Sequence, residues 1–228
     1  MEEKKHPIKK HILKHSKLWS FVLLLLAAWI ISSGMESARA DSLQESISKK
    51  VIRFHVLANS DRGEDQKIKL EVRDEVLRWL EIQLAEAGYE EKEAASKHFT
   101  KQMELEAMEK QIEKLLPGIE QKAEQILKRA GFTYGARAEL KEVYFPKRTY
   151  GNYTFPEGNY KALRILLGEA GGENWWCVLF PKLCFLDCVH AVFPEESQEQ
   201  LKGILTEEEY ESLFDPRKDT YRIGFKYF

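Results

Sequence analysis

Two places in this chain bring together side chains able to do chemistry. In the first, His55 is followed by Asn59, Ser60, Asp61 and Asp65. A histidine with two carboxylates can supply a general base and its orienting acid, or three ligands to a metal. The second is Cys177, within Asn174-Trp175-Trp176-Cys177-Val178-Leu179-Phe180-Pro181, a run holding two of the five tryptophans and one of the three cysteines. Cys177 as nucleophile and His55 as base would make an exported hydrolase acting on cell wall or peptide. Plainer roles account for each residue better. Asp61 with Glu64 three residues on reads as a helix start, and alternation along a strand places His55. A cysteine between Trp176 and Val178 lacks the electropositive, partly exposed setting that makes a thiolate. No histidine pair stands at metal-binding spacing, and three of the six histidines fall within the first 40 residues. The expectation is a protein without catalytic residues, metal or cofactor.

The elements that must position these groups follow from periodicity. Residues 51–58 read as a strand too apolar to have a wet face. A helix over 64–87 carries Ile68, Val72, Val76, Leu80 and Leu84 on one stripe, with Gly88 as its stop. A second helix is expected over 91–116, interrupted by Pro117 and Gly118, and a third from there to Ala130. Their narrow seam, from Leu105 to Leu127, suggests a helical excursion over 91–130 standing partly off the body. From Phe132 the period becomes two, giving a half-buried strand. Further strands are read at 160–168 and 174–180, with residues 169–173 as the turn of a hairpin between them. The order β-α-α-α-β-β-β favours an α+β fold, a largely antiparallel sheet with helices on one face. That domain spans 41–193. An acidic helical extension covers 194–228, with a helix at 206–214 and a short aromatic strand or tail at 221–228.

Residues 1–40 stand apart. Six lysines within the first 17 residues precede an apolar stretch, 18–31, which ends in small residues and Ala38-Arg39-Ala40. That is the pattern of a secretory signal peptide cleaved after Ala40, with an uncleaved anchor as the alternative. Without this segment the chain keeps 28 basic and 34 acidic residues. Such an acidic surface argues against nucleic acid as a partner, and confines membrane contact to the N-terminal segment. Cys177, Cys184 and Cys188 follow no zinc spacing, and as an odd number they make no disulfide scaffold. Burial as small hydrophobes is the plain reading; a Cys177–Cys184 bond would require the chain to reverse at Pro181.

Between two strands lies an aromatic stretch with Lys147, Arg148, Tyr150, Gly151, Tyr153, Phe155, Pro156, Gly158 and Tyr160. Tyrosine and arginine together are typical anchors of protein contact surfaces, though the same rings can also cover a sheet edge. Trp175 and Trp176, adjacent in a strand, must point to opposite faces. Trp176 is expected to pack with Val178 and Phe180, and Trp175 to lie with Cys177 and Leu179 toward the second face.

Several motifs in fixed order resemble the stage II sporulation protein R family of endospore-forming bacteria. They are Arg53-Phe54-His55-Val56-Leu57-Ala58-Asn59-Ser60-Asp61 followed by Asp65-Gln66, Lys69 with Val72-Arg73-Asp74, and Phe145-Pro146 with Arg148, Tyr150 and Gly151. Gly158-Asn159-Tyr160-Lys161-Ala162-Leu163-Arg164 and the run from Asn174 to Phe185 complete them, with Lys182 as a departure from the pattern. The resemblance implies a signal made in the forespore and exported into the space between forespore and mother-cell membranes. There it would trigger a membrane-embedded aspartic protease that removes the pro-sequence of sigma factor E. It carries over no catalytic residues. A contact surface for the protease would draw on Arg148, Tyr150, Tyr160, Trp175 and Trp176, with His55 and Asp61.

Overall fold

The first strand, β1 (Ile52–Leu57), is buried along its whole length. A strand with no wet face needs a neighbour on each edge and cover on both faces, and the rest of the fold supplies these. The computed structural model describes residues 8–87, 101–181, 183 and 195–214. In chain order the elements are α1 (Ile8–Ser48), β1, α2 (Gly63–Glu86), α3 (Lys101–Arg129), β2 (Ala136–Phe145), β3 (Arg148–Tyr150), β4 (Tyr153–Phe155), β5 (Gly158–Leu167), β6 (Asn174–Phe180), α4 (Glu195–Ile204) and α5 (Glu207–Leu213). The fold is α+β.

The four-stranded sheet has the order β2-β5-β1-β6, and β3 pairs with β4 in a separate ribbon. β1 runs parallel to β5 and antiparallel to β6, while β2 is antiparallel to β5. The expected hairpin of 160–168 with 174–180 is therefore replaced. β1 lies between those two strands, and residues 168–173 arch over its end. The reason is burial: at an edge, β1 would leave a row of backbone groups unpaired beside six buried side chains.

Two clusters fill the two sides of the sheet. On one side Phe54, Val56, Leu163, Ile165, Cys177 and Leu179 pack under α2 and α3. α3 runs through Pro117 as a single helix, instead of the expected pair. Leu105, Met108, Ile112, Ile119, Ala123, Ile126 and Leu127 are buried on both sides of that proline, so α3 lies on the sheet and not off it. Burial of this continuous seam outweighs the one helical hydrogen bond a proline removes. Gly118 gives room to a neighbour, since a Cβ there would sit 2.6 Å from the Trp79 ring. α3 also guards the sheet's edge: Glu120 Oε2 accepts the Ala138 N–H at 3.0 Å.

On the other side Val51, Phe145, Tyr153, Phe155, Tyr160, Ala162 and Val178 form a second cluster, closed by Ile47, by Leu201 of α4 and Leu213 of α5, and by Leu205 between those helices. α5 begins with a capping box, Thr206 and Glu209 exchanging backbone hydrogen bonds. Glu209 also receives Lys50 Nζ at 2.6 Å and Ser46 Oγ, tying residues just after the apolar segment to the C-terminal helix.

Residues 1–43 form a unit of their own. Its helix is long and apolar enough to cross a membrane, with Leu24 and Trp29 each 68% exposed. A cleaved signal peptide and an uncleaved anchor both fit it. Gly88, Lys182, Cys184, Cys188 and the 221–228 segment lie outside the described residues, as does the first part of the 91–116 helix.

Candidate functional site

The residues after β1 form a clasp. Asp65, buried in the first turn of α2, accepts hydrogen bonds from Ser60 Oγ at 2.5 Å, Tyr134 Oη at 2.6 Å and Asn59 Nδ2 at 3.0 Å. Burial pushes its carboxyl upward, but hydrogen bonds from Ser60, Tyr134 and Asn59 and the nearby Arg62 charge outweigh this and hold it below its ordinary value. Asn59 turns its other side to the 168–173 arch, its Oδ1 taking the Glu169 N–H at 2.9 Å. The carbonyls of Asn59 and Ala58 take the N–H groups of Gly171 and Gly172 at 3.1 and 3.0 Å. Asp61 is not the cap of α2. Arg62 occupies that position with no side-chain cap bond, and Asp61 Oδ1 instead holds the Glu173 N–H at 2.7 Å. Lys69 completes the clasp by donating to the Glu173 carbonyl at 3.0 Å, and its burial lowers its affinity for a proton. Gly172 passes so close that a Cβ would lie 2.3 Å from the Ser60 carbonyl oxygen. Asn59, Ser60, Asp61, Asp65 and Lys69 therefore hold the arch across the end of β1.

His55 faces away from Cys177. In the register His55 is opposite Trp176, and Cys177 is opposite Phe54. Neighbouring positions alternate sides, so Cys177 packs in the cluster under α2 and α3 while His55 lies on the other side. The nucleophile and base of the hydrolase reading are separated by the sheet. Among the described residues, no three His, Cys, Asp or Glu side chains group to hold a metal ion.

What His55 does meet is a row across all four strands: Glu139 on β2, Arg164 on β5, His55 on β1 and Trp176 on β6. Arg164 donates from Nη1 to Glu139 and from Nε to His55 Nε2 at 2.7 Å. His55 therefore accepts at Nε2 and carries its proton at Nδ1. Burial, then Arg164 and Arg53, lower its pKa to about 3, so the ring is neutral at physiological pH. Its other face stacks on Trp176, centroids 4.9 Å apart, and the Arg148 guanidinium sits 5.5 Å from the Trp176 centroid. Arg148 is exposed and Trp176 half-buried. Thus an arginine and a tryptophan reach the surface on a rigid base.

Beneath them is Arg53, which is fully buried. Its guanidinium lies 4.5 Å from the Phe145 centroid, 5.1 Å from Tyr160, 5.2 Å from Phe155 and 5.7 Å from Tyr150. Nε donates to the Cys177 carbonyl at 3.0 Å and Nη2 to Tyr150 Oη at 2.9 Å. The aromatic stretch 148–160 is thus mostly the wall of an arginine cage. Gly151, at φ +53°, makes the tight turn that folds β3 onto β4.

Of the expected contact residues, the structure brings Arg148, Tyr150, Tyr160, Trp176 and His55 into one neighbourhood. Tyr160 is buried there, donating to the Pro156 carbonyl at 2.7 Å, so it supports the surface without belonging to it. Asp61 sits in the clasp. Trp175 is on the α2 side against Phe54, with Arg73 4.8 Å from its ring centroid. The expected partner of Trp176, Phe180, is also on that side: a bulge between Ile52 and Arg53 in the pairing shifts the register by one and turns Phe180 over with Leu179. Val178 does stay with Trp176. Sequence reasoning missed Arg53, Arg164 and Glu139 as parts of the site. The signal was there for Arg53, a charge at i−2 from a histidine inside an otherwise apolar strand.

The match with known proteins covers both the clasp and this row. The family model described as stage II sporulation protein R matches residues 48–190. The chain belongs to the stage II sporulation protein R family. A stage II sporulation protein R of Bacillus subtilis (strain 168) is 32% identical over 190 residues, 80% of this chain and 76% of that protein. No solved structure matches significantly. A role in sporulation follows for this stage II sporulation protein R family member, whose matched region runs from the end of α1 past β6.

Proposed function

We propose that this chain is an exported signal of endospore formation that acts by binding. Delivered to the space between forespore and mother-cell membranes, it activates a membrane-embedded aspartic protease, and that protease matures pro-sigma-E. The observation that supports the reading is the exposed Arg148 stacked on Trp176, whose ring packs against neutral His55 and Phe145. Arginine and tryptophan on a preorganised base are what dominate binding energy at protein interfaces. A ligand shifts a protease toward its active form only by preferring that form, and a hundredfold shift needs about 2.7 kcal/mol of preference. One buried tryptophan anchor supplies a contribution of that size.

The test is reconstitution of processing in a host without sporulation genes, with the protease and pro-sigma-E co-expressed and this chain either exported or retained. Exported chain should drive processing and retained chain should not. Trp176→Ala and Arg148→Ala should each abolish processing with the far-ultraviolet circular dichroism unchanged. Equal processing by exported and retained chain, or normal processing by both variants, overturns the proposal.

A further inference from the structure

The side of the sheet that carries Trp176 has an unusual charge pattern. Its rows, read across β2, β5, β1 and β6, are Arg137-Leu166-Leu57-Asn174, Glu139-Arg164-His55-Trp176 and Lys141-Ala162-Arg53-Val178. They hold four cations and one carboxylate, in a chain whose formal charge is −2 overall. Arg148 adds a fifth cation at the rim. Two N–H groups on this side are buried with no acceptor among the described residues: Arg53 Nη1 and His55 Nδ1. Both side chains border the same ring, the Arg53 guanidinium 4.5 Å and the His55 centroid 5.2 Å from the centre of Phe145. The acceptors Arg53 does have, the Cys177 carbonyl and the Tyr150 hydroxyl, are both neutral. A buried guanidinium without a carboxylate, and a buried N–H without an acceptor, are costly arrangements that call for an explanation.

We propose that this face is a receptor for a carboxylate on an acidic peptide segment of the partner, entering beside Trp176 and Arg148 and accepting from His55 Nδ1–H and Arg53 Nη1–H. The inference rests on the binding role proposed above and names the chemistry of the partner. Arg148, exposed at the rim, turns from the Trp176 ring onto the incoming group. Two unsatisfied donors between aromatic walls suit a planar, singly charged acceptor with two oxygens. A phosphate would bring more charge and a third oxygen than the site has donors to meet.

The full chain in detergent micelles, labelled with 15N-histidine and 15N-arginine, gives a direct readout. It is titrated with acetyl-Ser-Glu-Ser-amide, the glutamine twin of that peptide, inorganic phosphate and sodium chloride at matched ionic strength. The glutamate peptide should shift the His55 Nδ1–H and Arg53 resonances saturably, and roughly tenfold more tightly than its twin, as for loss of one charge-assisted hydrogen bond. Arg148→Gln, which changes an exposed side chain, should weaken that response by a similar factor. A response equal to that of the glutamine twin or of sodium chloride overturns the proposal, leaving water as the occupant of the two donors. Tighter binding of phosphate overturns the ligand class. Should processing depend on Trp176 while the glutamate peptide gives no response, the contact surface stands and the carboxylate receptor falls. Saturable binding of the glutamate peptide alongside processing indifferent to Trp176 leaves the receptor standing and removes the protease contact.

Discussion

Replacing Asp65 tests whether the clasp after β1 is architecture or contact surface. The carboxylate receives Ser60, Tyr134 and Asn59. Asp65→Ala strands all three donors, each costing about 1–3 kcal/mol where burial is complete. Asn59, Ser60 and Tyr134 are each only part-buried, so about 3–5 kcal/mol is expected in total. Asp65→Asn is gentler. The hydroxyls of Ser60 and Tyr134 can turn to accept from the new amide, whereas Asn59 cannot flip, because its Oδ1 holds the Glu169 N–H. What is lost is mainly charge assistance, about 1–2 kcal/mol. The folded carboxyl titrates below its reference value of 3.8, so the native state binds fewer protons than the unfolded one. The stability it contributes is complete at neutral pH and is lost as pH falls through the reference value toward the lowered one. The deficit of Asp65→Asn should therefore be full at pH 7 and shrink below about pH 4. Urea unfolding of residues 41–228, followed by tryptophan fluorescence between pH 7 and 3.5, measures it. A deficit that stays constant with pH refutes the charge argument. Wild-type stability in Asp65→Ala, with sporulation impaired, refutes the structural role altogether.

The other perturbations are sharper in geometry. Gly172→Ala places a Cβ 2.3 Å from the Ser60 carbonyl oxygen, a backbone atom that cannot swing away; about 1–3 kcal/mol should be lost in urea unfolding. Gly118→Ala improves helix propensity by up to about 1 kcal/mol but meets the Trp79 ring at 2.6 Å. It should destabilise the wild type and stabilise Trp79→Ala, a sign change that a double-mutant cycle detects. His55, with a folded pKa of about 3 against 6.5 unfolded, contributes stability that is complete above pH 6.5 and declines as pH falls toward 3. The limiting slope is about 1.4 kcal/mol per pH unit. 15N spectra at pH 5 should show a neutral imidazole protonated at Nδ1, and a charged ring at that pH would contradict the Arg164 hydrogen bond.

How far the residues announced this arrangement depended on the range of the forces involved. Periodicity marked β1, α2, β2, β5 and β6 because each buries a stripe that local alternation displays. It could not show that β1 lies between β5 and β6, since two glycines in a five-residue gap look like a hairpin from either side. The decisive signal was the density of apolar residues on β1, with Ile52, Phe54, Val56 and Leu57 in six positions, which demands a central place in the sheet. Pro117-Gly118 misled for a similar reason. Read locally they break a helix, whereas the spacing of Ile112, Ile119 and Ala123 continues across them because the sheet below imposes it. For the site, the aromatic stretch was visible as composition, but its purpose depended on Arg53, nearly a hundred residues earlier and brought to it only by the parallel pairing of β1 with β5. A lone cation in a buried strand is the kind of local inconsistency a fold tolerates where function requires it. Arg53, and not the better advertised Cys177, is the residue around which the aromatic stretch is folded.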